Sequence, residues 1–136
     1  SSPNFKLKSF PQNSTTITFN IRLIEREDSI RHNDHCFIIN RDIEGLVPAA
    51  RVFEPKSGRV LEISTTEPGI QFYTGNFLNG MMGKGGAIYE QNGGLCLETQ
   101  AFPDSINHRG EAGWSDVVLR PGTDYRHVMV HRFSID

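Results

Sequence analysis

Apolar and polar residues alternate through positions 16–25, with isoleucine, phenylalanine and leucine at every second position. An alternation of period two predicts a strand that buries one face and exposes the other. Shorter apolar segments follow along the chain, and none shows the 3.6-residue period of an amphipathic helix. These further predicted strands are 36–39, 47–53, 59–64, 70–73, 95–99, 116–119 and 126–133.

Turn-forming residues separate the predicted strands. Pro55 and Gly58 lie between the segments 47–53 and 59–64, where they suit a hairpin connection. The glycine-rich stretch 76–94 predicts a long irregular connection. Short strands repeated at modest spacing indicate an all-β fold, an antiparallel sandwich or barrel, rather than alternating strands and helices.

The composition of the chain limits the binding partners and the cellular compartments that we expect for it. The 136 residues fit one ordinary domain, and 14 basic against 16 acidic side chains give a net charge of −2, which argues against nucleic acid. Since no apolar run approaches the ~18 residues of a membrane helix and residues 1–10 lack a signal-peptide core, we expect a cytoplasmic protein without a membrane partner. Cys36 and Cys96 lack metal-knuckle spacing, and we expect both to be buried free thiols.

Three stretches carry polar side chains suited to binding a sugar. They are residues 97–107 with Glu98-Thr99-Gln100, residues 66–76 with Gln71, and residues 32–37 with Asp34-His35. The first two closely resemble the C-terminal part of the galactose mutarotase (aldose 1-epimerase) family. The third is similar to that family's Asp-His-aromatic segment, with Asn33 where the family usually has an aromatic residue. The resemblance extends from about Asp34 to Phe133.

The resemblance implies a fold and a division of the chain. We expect an antiparallel β-sandwich of the galactose mutarotase type, incomplete in this chain. Residues 29–136 would form the C-terminal portion of that sandwich, whereas residues 1–28 would form an N-terminal arm and an amphipathic strand of unclear origin. Because the chain begins with Ser1 and the family is longer, we also expect a trimmed product, an engineered fragment or part of a longer polypeptide.

The resemblance also implies an activity, the interconversion of hexose anomers. Opening the ring removes a proton from the C1 hydroxyl and delivers one to the ring oxygen, which requires two proton carriers but no metal or organic cofactor. Glu98 corresponds to the catalytic base, and we expect its partial burial at the strand end to tune it for that role. Asp34 and Gln71 correspond to ligands of the sugar, galactose or glucose. His35 is expected on the opposite strand face as a structural or packing residue.

The family's general acid, a histidine in its N-terminal part, has no counterpart in this sequence. His32, His108, His127 and His131 are present, but their spacing singles out none of them. We therefore expect either a second chain that carries the N-terminal part of the fold, or self-association. The alternative is a non-catalytic carbohydrate-binding or interaction module, and a structural subunit with a vestigial site is a weaker third hypothesis.

Overall fold

The computed structural model describes residues 5–8, 15–22 and 33–136, and within them the chain forms eleven strands. The strands are β1 (Phe5–Lys8), β2 (Thr16–Phe19), β3 (Ile21–Arg22), β4 (Asp34–Ile39), β5 (Val47–Glu54), β6 (Arg59–Thr65), β7 (Gly69–Tyr73), β8 (Met81–Met82), β9 (Ile88–Tyr89), β10 (Cys96–Gln100) and β11 (Met129–Ile135). Two short 3-10 helices, Lys84–Gly86 and Ser105–His108, lie in the connections.

The strands pair into two main antiparallel sheets and one small hairpin. The five-stranded sheet has the order β1-β2-β5-β6-β11, the four-stranded sheet has the order β10-β7-β4-β3, and β8 pairs with β9. Every pairing is antiparallel. This architecture confirms the all-β antiparallel fold, while the division at residue 28 stays a prediction.

The hydrophobic core joins inward-facing residues of both sheets. Ile17 and Ala50 contribute from the five-stranded sheet, and Ile39, Ile70 and Phe72 contribute from the four-stranded sheet. Ile70 and Phe72 are 0% exposed, so both side chains of β7 pack in the core. Because side chains alternate across a strand, burying this face of β7 leaves its other face free for polar residues.

Most predicted strands are present, but the segment 116–119 is not a strand. The Asp116 carboxylate accepts hydrogen bonds from the Val118 backbone N–H, 3.1 Å away, and from the Arg120 guanidinium at 3.0 Å. The same two contacts, the first of them dominant, lower the pKa of Asp116. Local bonds of this kind compete with a strand ladder, so the prediction of a strand here is wrong. The last strand also begins later than predicted, at Met129.

The alternating segment 16–25 is divided between the two sheets at Asn20. Strand β2 pairs with β5, whereas β3 pairs with β4. The backbone N–H of Asn20 donates to the Ala49 carbonyl at 3.0 Å, and its own carbonyl accepts the Asn40 N–H at 2.9 Å. Its side-chain amide donates to the Pro48 carbonyl at 2.9 Å. The prediction of one continuous strand is therefore wrong, and its last three positions lie outside the described residues.

The hairpin between β5 and β6 is confirmed. The Gly58 N–H donates to the Glu54 carbonyl at 2.9 Å, and the left-handed backbone at Gly58, with φ of 71°, favours glycine. The Glu54 carboxylate accepts bonds from the Ser57 hydroxyl and from the Lys56 N–H, which lower the pKa of Glu54. The turn is thus closed by side-chain as well as backbone bonds.

The connection 76–94 is less irregular than predicted. It contains the β8–β9 hairpin and the 3-10 helix Lys84–Gly86. The Gly83 N–H donates to the Ala87 carbonyl at 2.7 Å. The Tyr89 ring lies so close to Gly83 that a Cβ atom there would clash with it. Glycine at this position therefore permits the close approach of the two short strands.

Candidate active site

One face of the four-stranded sheet carries the three predicted sugar-site residues. In the register, Glu98 of β10 pairs with Gln71 of β7, and Gln71 pairs with Cys36 of β4. Asp34 lies two residues before Cys36, so its side chain projects from the same face. The structure therefore brings Glu98, Gln71 and Asp34 together from three adjacent strands.

Asp34 and Gln71 are joined by a direct hydrogen bond. Gln71 Nε2 donates to Asp34 Oδ1 at 2.7 Å. A bond from an amide to an ionised carboxylate is stronger than one between neutral groups, so it orients both side chains. Because a carboxylate offers about four acceptor positions, Asp34 keeps the capacity to accept bonds from the hydroxyl groups of a ligand.

Glu98 lies on the other side of Gln71. Paired residues on antiparallel strands have Cβ atoms about 5 Å apart, which places Glu98 directly beside the Gln71 amide. The Glu98 side chain is exposed, and among the described residues it makes no hydrogen bond or ion pair. The expectation that the Glu98 side chain is partly buried is wrong among the described residues, because β10 has β7 as its single neighbouring strand there. The arrangement provides an accessible carboxylate able to accept a proton.

Hydrogen bonds from the end of the neighbouring strand β7 fix the start of β4, where Asp34 lies. The Asn33 N–H donates to Thr74 Oγ1 at 2.9 Å, and the Thr74 N–H donates to the Asn33 carbonyl at 3.0 Å. The Asn76 side-chain amide donates to the same carbonyl at 3.0 Å. Thr74 is buried, so these bonds are shielded from water. Asn33, which departs from the family pattern, thus has a defined structural role.

The two cysteines lie in different environments, and neither forms a disulfide. Cys36 is half-buried beside Gln71, and burial raises the pKa of its thiol more than the hydrogen bonds from Gln100 and the Ile70 backbone lower it. Cys96 is exposed. The prediction of a buried thiol is therefore wrong for Cys96.

The family of this chain follows from its similarity to known proteins. The model of the aldose 1-epimerase family matches residues 3–132, nearly the whole chain. This chain belongs to the aldose 1-epimerase family. The match includes the strands that carry Asp34, Gln71 and Glu98.

Individual members of the family are similar over about two thirds to four fifths of the chain. Galactose mutarotase from Mus musculus is 48% identical over 103 residues, which cover 75% of this chain and 29% of that protein. Galactose mutarotase from Homo sapiens is 52% identical over 87 residues, covering 63% and 25%. Aldose 1-epimerase from Escherichia coli is 36% identical over 104 residues, covering 76% and 30%.

A solved structure gives the same result for the fold. The crystal structure of an aldose epimerase homologue from C. elegans matches with a TM-score of 0.66 and 31% sequence identity, covering 76% of this chain and 30% of that one. This likeness confirms the galactose mutarotase type of fold. The chain spans between about a quarter and a third of the length of the family members that it matches.

No described histidine contacts Glu98. His108 stacks on Trp114, His131 stacks on Phe133, and His127 bonds to Thr99 on the face opposite Glu98. His32 lies outside the described residues. Within the part of the chain that the structure describes, the family's general acid therefore has no substitute beside the carboxylate.

His35 has the structural role, one of the two roles expected of it, and not the packing role. It lies on the sheet face opposite Asp34, as predicted, because neighbouring residues of a strand point to opposite sides. Its side chain is exposed, however, and its Nδ1 atom accepts a 3.3 Å hydrogen bond from the Asp34 N–H. The residue supports the backbone at the start of β4 instead of filling the core.

An aromatic pair beside Asp34 was not identified from the sequence. Tyr73 pairs with Asp34 in the register and shares the polar face with Gln71. The Tyr73 hydroxyl accepts the Phe77 N–H at 2.9 Å, and the two rings stack with centroids 6.1 Å apart. Phe77 is 77% exposed. The sequence did contain one indication, because residues two apart on a strand, such as Gln71 and Tyr73, lie on the same face.

The loop after β10 covers the opposite end of this face. Trp114 packs edge-on against Phe102, with centroids 5.8 Å apart, and stacks on His108 at 4.0 Å. The Phe102 ring in turn lies against Gly69, where an added Cβ atom would come within 3.0 Å of it. The polar face thus ends at an aromatic cluster next to Gly69.

Over residues 5–8, 15–22 and 33–136, no helix is long and apolar enough to span a membrane. In the same residues, no group of three or more histidine, cysteine, aspartate or glutamate side chains is arranged to bind a metal ion. The prediction that the site works without a metal or an organic cofactor stays a prediction.

Proposed function

We propose that this chain contributes the base and two sugar ligands of an aldose 1-epimerase site. The observation that supports the proposal is the common polar face on which Glu98, Gln71 and Asp34 meet, in a chain of the aldose 1-epimerase family. The substrate is a hexose such as galactose or glucose, and the reaction interconverts its α and β anomers.

In the proposed reaction, Glu98 removes the proton from the C1 hydroxyl of the sugar. A general acid protonates the ring oxygen as the bond between that oxygen and C1 breaks, which yields the open-chain aldehyde. Rotation about the C1–C2 bond presents the other face of the carbonyl, and the same groups then act in reverse. The two proton transfers balance, so no further reactant is consumed.

Asp34 and Gln71 would hold the sugar while this happens. Asp34 accepts hydrogen bonds from the ring hydroxyls, and its bond to Gln71 fixes its orientation before the sugar arrives. Gln71 lies between Asp34 and Glu98, so its amide carbonyl is suited to accept a bond from a hydroxyl near the reacting carbon. Positioning of this kind raises the effective concentration of the base at C1.

The general acid would come from outside this chain. Strands β10 and β11 each have one neighbouring strand among the described residues, and the exposed β11 residues Phe133 and Ile135 leave 76% and 79% of their surface to water. Free edges and apolar side chains favour pairing with another chain. We propose a second chain that carries the N-terminal part of the fold, or self-association. A monomer by sedimentation velocity at all concentrations would exclude self-association.

Polarimetry on freshly dissolved α-galactose tests the catalytic proposal. The 136-residue chain is compared with Glu98→Gln, with Glu90→Gln as a matched control on an exposed glutamate of the 76–94 connection, and with the spontaneous rate. If self-association completes the site, we expect an acceleration that falls about 10²–10⁴-fold in Glu98→Gln but persists in Glu90→Gln, as for a general base. No acceleration by any of the three proteins would assign the acid to a second chain or favour a binding role. Equal acceleration by both variants would exclude Glu98 as the base.

The second candidate function is a non-catalytic carbohydrate-binding module. The absence of a histidine contact to Glu98 among the described residues favours it. Such a module binds galactose, does not accelerate mutarotation and keeps most of its affinity in Glu98→Gln. Isothermal titration calorimetry with galactose, alongside the polarimetry, therefore separates the two functions.

A further inference from the structure

A hydrogen-bonded cluster lies behind Glu98, on the opposite face of β10. Thr99, 7% exposed, places Oγ1 3.1 Å from His127 Nε2. His127 Nδ1 lies 3.8 Å from Glu67 Oε1, an ion-pair distance when the imidazole is protonated, and 3.5 Å from the Tyr125 hydroxyl. Thr99 Oγ1 also donates a hydrogen bond to Met129 Sδ, 3.0 Å away.

The backbone that carries Glu67 is itself fixed. Arg41 donates to the Glu67 carbonyl at 2.8 Å and to the Thr65 carbonyl at 3.0 Å, and a third bond reaches the Gly45 carbonyl at 2.9 Å. These bonds hold the turn between β6 and β7 in one conformation. Because Glu67 lies two residues before Gly69, the first residue of β7, the same bonds fix the start of the strand that carries Gln71.

The segment that carries His127 is attached to the same turn. The Thr66 N–H donates to the Val128 carbonyl at 3.0 Å, and the Val128 N–H donates to Thr66 Oγ1 at 3.0 Å. His127 is therefore held next to Glu67 by its neighbour in the chain. The imidazole bridges this fixed turn and β10, whose backbone pairs with one strand, β7, among the described residues.

We propose that Glu67, His127 and Thr99 form a positioning relay that sets the place of Glu98 relative to Gln71. The relay acts from the side of the sheet opposite the sugar, through Thr99, the residue after Glu98. The effect of the relay on catalysis rests on the proposed function, in which Glu98 is the base and Gln71 is a sugar ligand. The three residues touch no reacting atom, and their role is to hold an edge strand in register.

Hydrogen–deuterium exchange of the 136-residue chain tests the relay without needing activity. Thr99→Val removes the hydroxyl at nearly constant volume, Thr99→Ser keeps it, and His127→Gln removes the imidazole. His131→Gln is the matched control, since that exposed ring stacks on Phe133 in the same C-terminal region. We expect exchange in the peptide 95–101 to become roughly tenfold faster in Thr99→Val and His127→Gln, and to stay unchanged in Thr99→Ser and His131→Gln.

A double-mutant cycle and a sugar titration complete the test. If the relay acts as a unit, Thr99→Val and Glu67→Gln together change exchange at 95–101 no more than either one alone. Additive effects, unchanged exchange, or an increase spread evenly over all strands would overturn the relay. Galactose affinity is measured in parallel. Faster local exchange in a chain that binds no galactose supports the relay and contradicts the proposed function, so the two failures are distinguishable.

Discussion

The two halves of the candidate site are built differently. Asp34 and Gln71 lie on β4 and β7, which are interior strands of the four-stranded sheet, and their side chains bond to each other. Glu98 lies on β10, an edge strand among the described residues, and its carboxylate is exposed and unbonded there. The ligand half is therefore organised before a sugar binds. The strand of the base half is held by its backbone, by the packing of Leu97 and by Thr99 and Gln100, but its carboxylate has no partner among the described residues.

This difference suits the two halves of the site to different tasks, sugar binding and proton transfer. A ligand site gains affinity when its groups are already oriented, because less conformational entropy is lost on binding. A general base needs an accessible carboxylate whose environment is completed when the acid and the sugar are present. We therefore expect changes in the interior half to alter stability and affinity, and changes in the edge half to alter the proton transfer.

The largest expected effect on stability comes from the buried face under the site. Phe72 on β7 pairs with Leu97 on β10, but Phe72 is fully buried whereas Leu97 is half-buried. Phe72→Ala should destabilise the fold by about 3–5 kcal/mol through lost burial and a cavity. Leu97→Ala, at the same level of the edge strand, should cost about half as much. Guanidinium unfolding measures both, and equal losses would contradict the distinction between interior and edge strands.

Removing one buried hydroxyl should have a smaller effect. Thr74→Val takes away the acceptor of the Asn33 N–H and the partner of Asn76, which leaves a polar group without its bond next to Asp34. The expected cost is about 2 kcal/mol. Thermal unfolding of Thr74→Val and of Thr74→Ser, which keeps the hydroxyl, provides the comparison. A valine variant as stable as the serine variant would show that the start of β4 at Asn33 does not depend on this bond.

The packing of β7 against its neighbours gives a third test. A Cβ atom at Gly69 would lie 3.0 Å from both Cys36 Sγ and the Phe102 ring, so Gly69→Ala should cost about 1 kcal/mol and displace the aromatic cluster. Gly94 precedes the edge strand and has open space around it, so Gly94→Ala is the control. Chemical unfolding with tryptophan fluorescence follows both, since Trp114 packs on Phe102. A silent Gly69→Ala variant would argue against the close approach.

The smallest perturbation is alkylation of the two cysteines, one on each half. Burial raises the pKa of Cys36, so its thiolate fraction is low near neutral pH and rises only at higher pH. Cys96 is exposed on β10. At about pH 8, iodoacetamide should modify Cys96 roughly tenfold faster, and the ratio should narrow as the pH is raised. Peptide mass spectrometry resolves the two sites, and faster reaction at Cys36 would mean that its face is open.

Patterns in the sequence predicted the strands that face the core on one side. The segments 47–53, 59–64 and 70–73 correspond to β5, β6 and β7 to within a residue or so at each end, because each alternates or clusters its apolar residues around the same core. The common face of Glu98 and Gln71, in contrast, depends on the register between β10 and β7. That register is a pairing of distant segments, and a single strand's pattern does not contain it.

Other features could not be predicted from the sequence, each for a specific physical reason. The alternation through residues 16–25 continues across Asn20, although the chain changes sheet there, because a period of two says nothing about which sheet receives the side chains. The exposure of Glu98 depends on which strands border β10. At residues 116–119, the Asp116 carboxylate bonds to the local backbone, and these bonds form in place of the predicted strand pairing. The sequence pattern does not show which of the two kinds of bond forms.

The single residue that joins β2 to β3 has a mechanical consequence. Asn20 is bonded to the backbone on both sides of the passage, so the linkage between the two sheets has no slack. One sheet cannot slide over the other without pulling directly on those bonds. The Asn20 side chain, which donates to the Asn40 and Pro48 carbonyls, therefore fixes the position of one sheet relative to the other where the chain crosses between them.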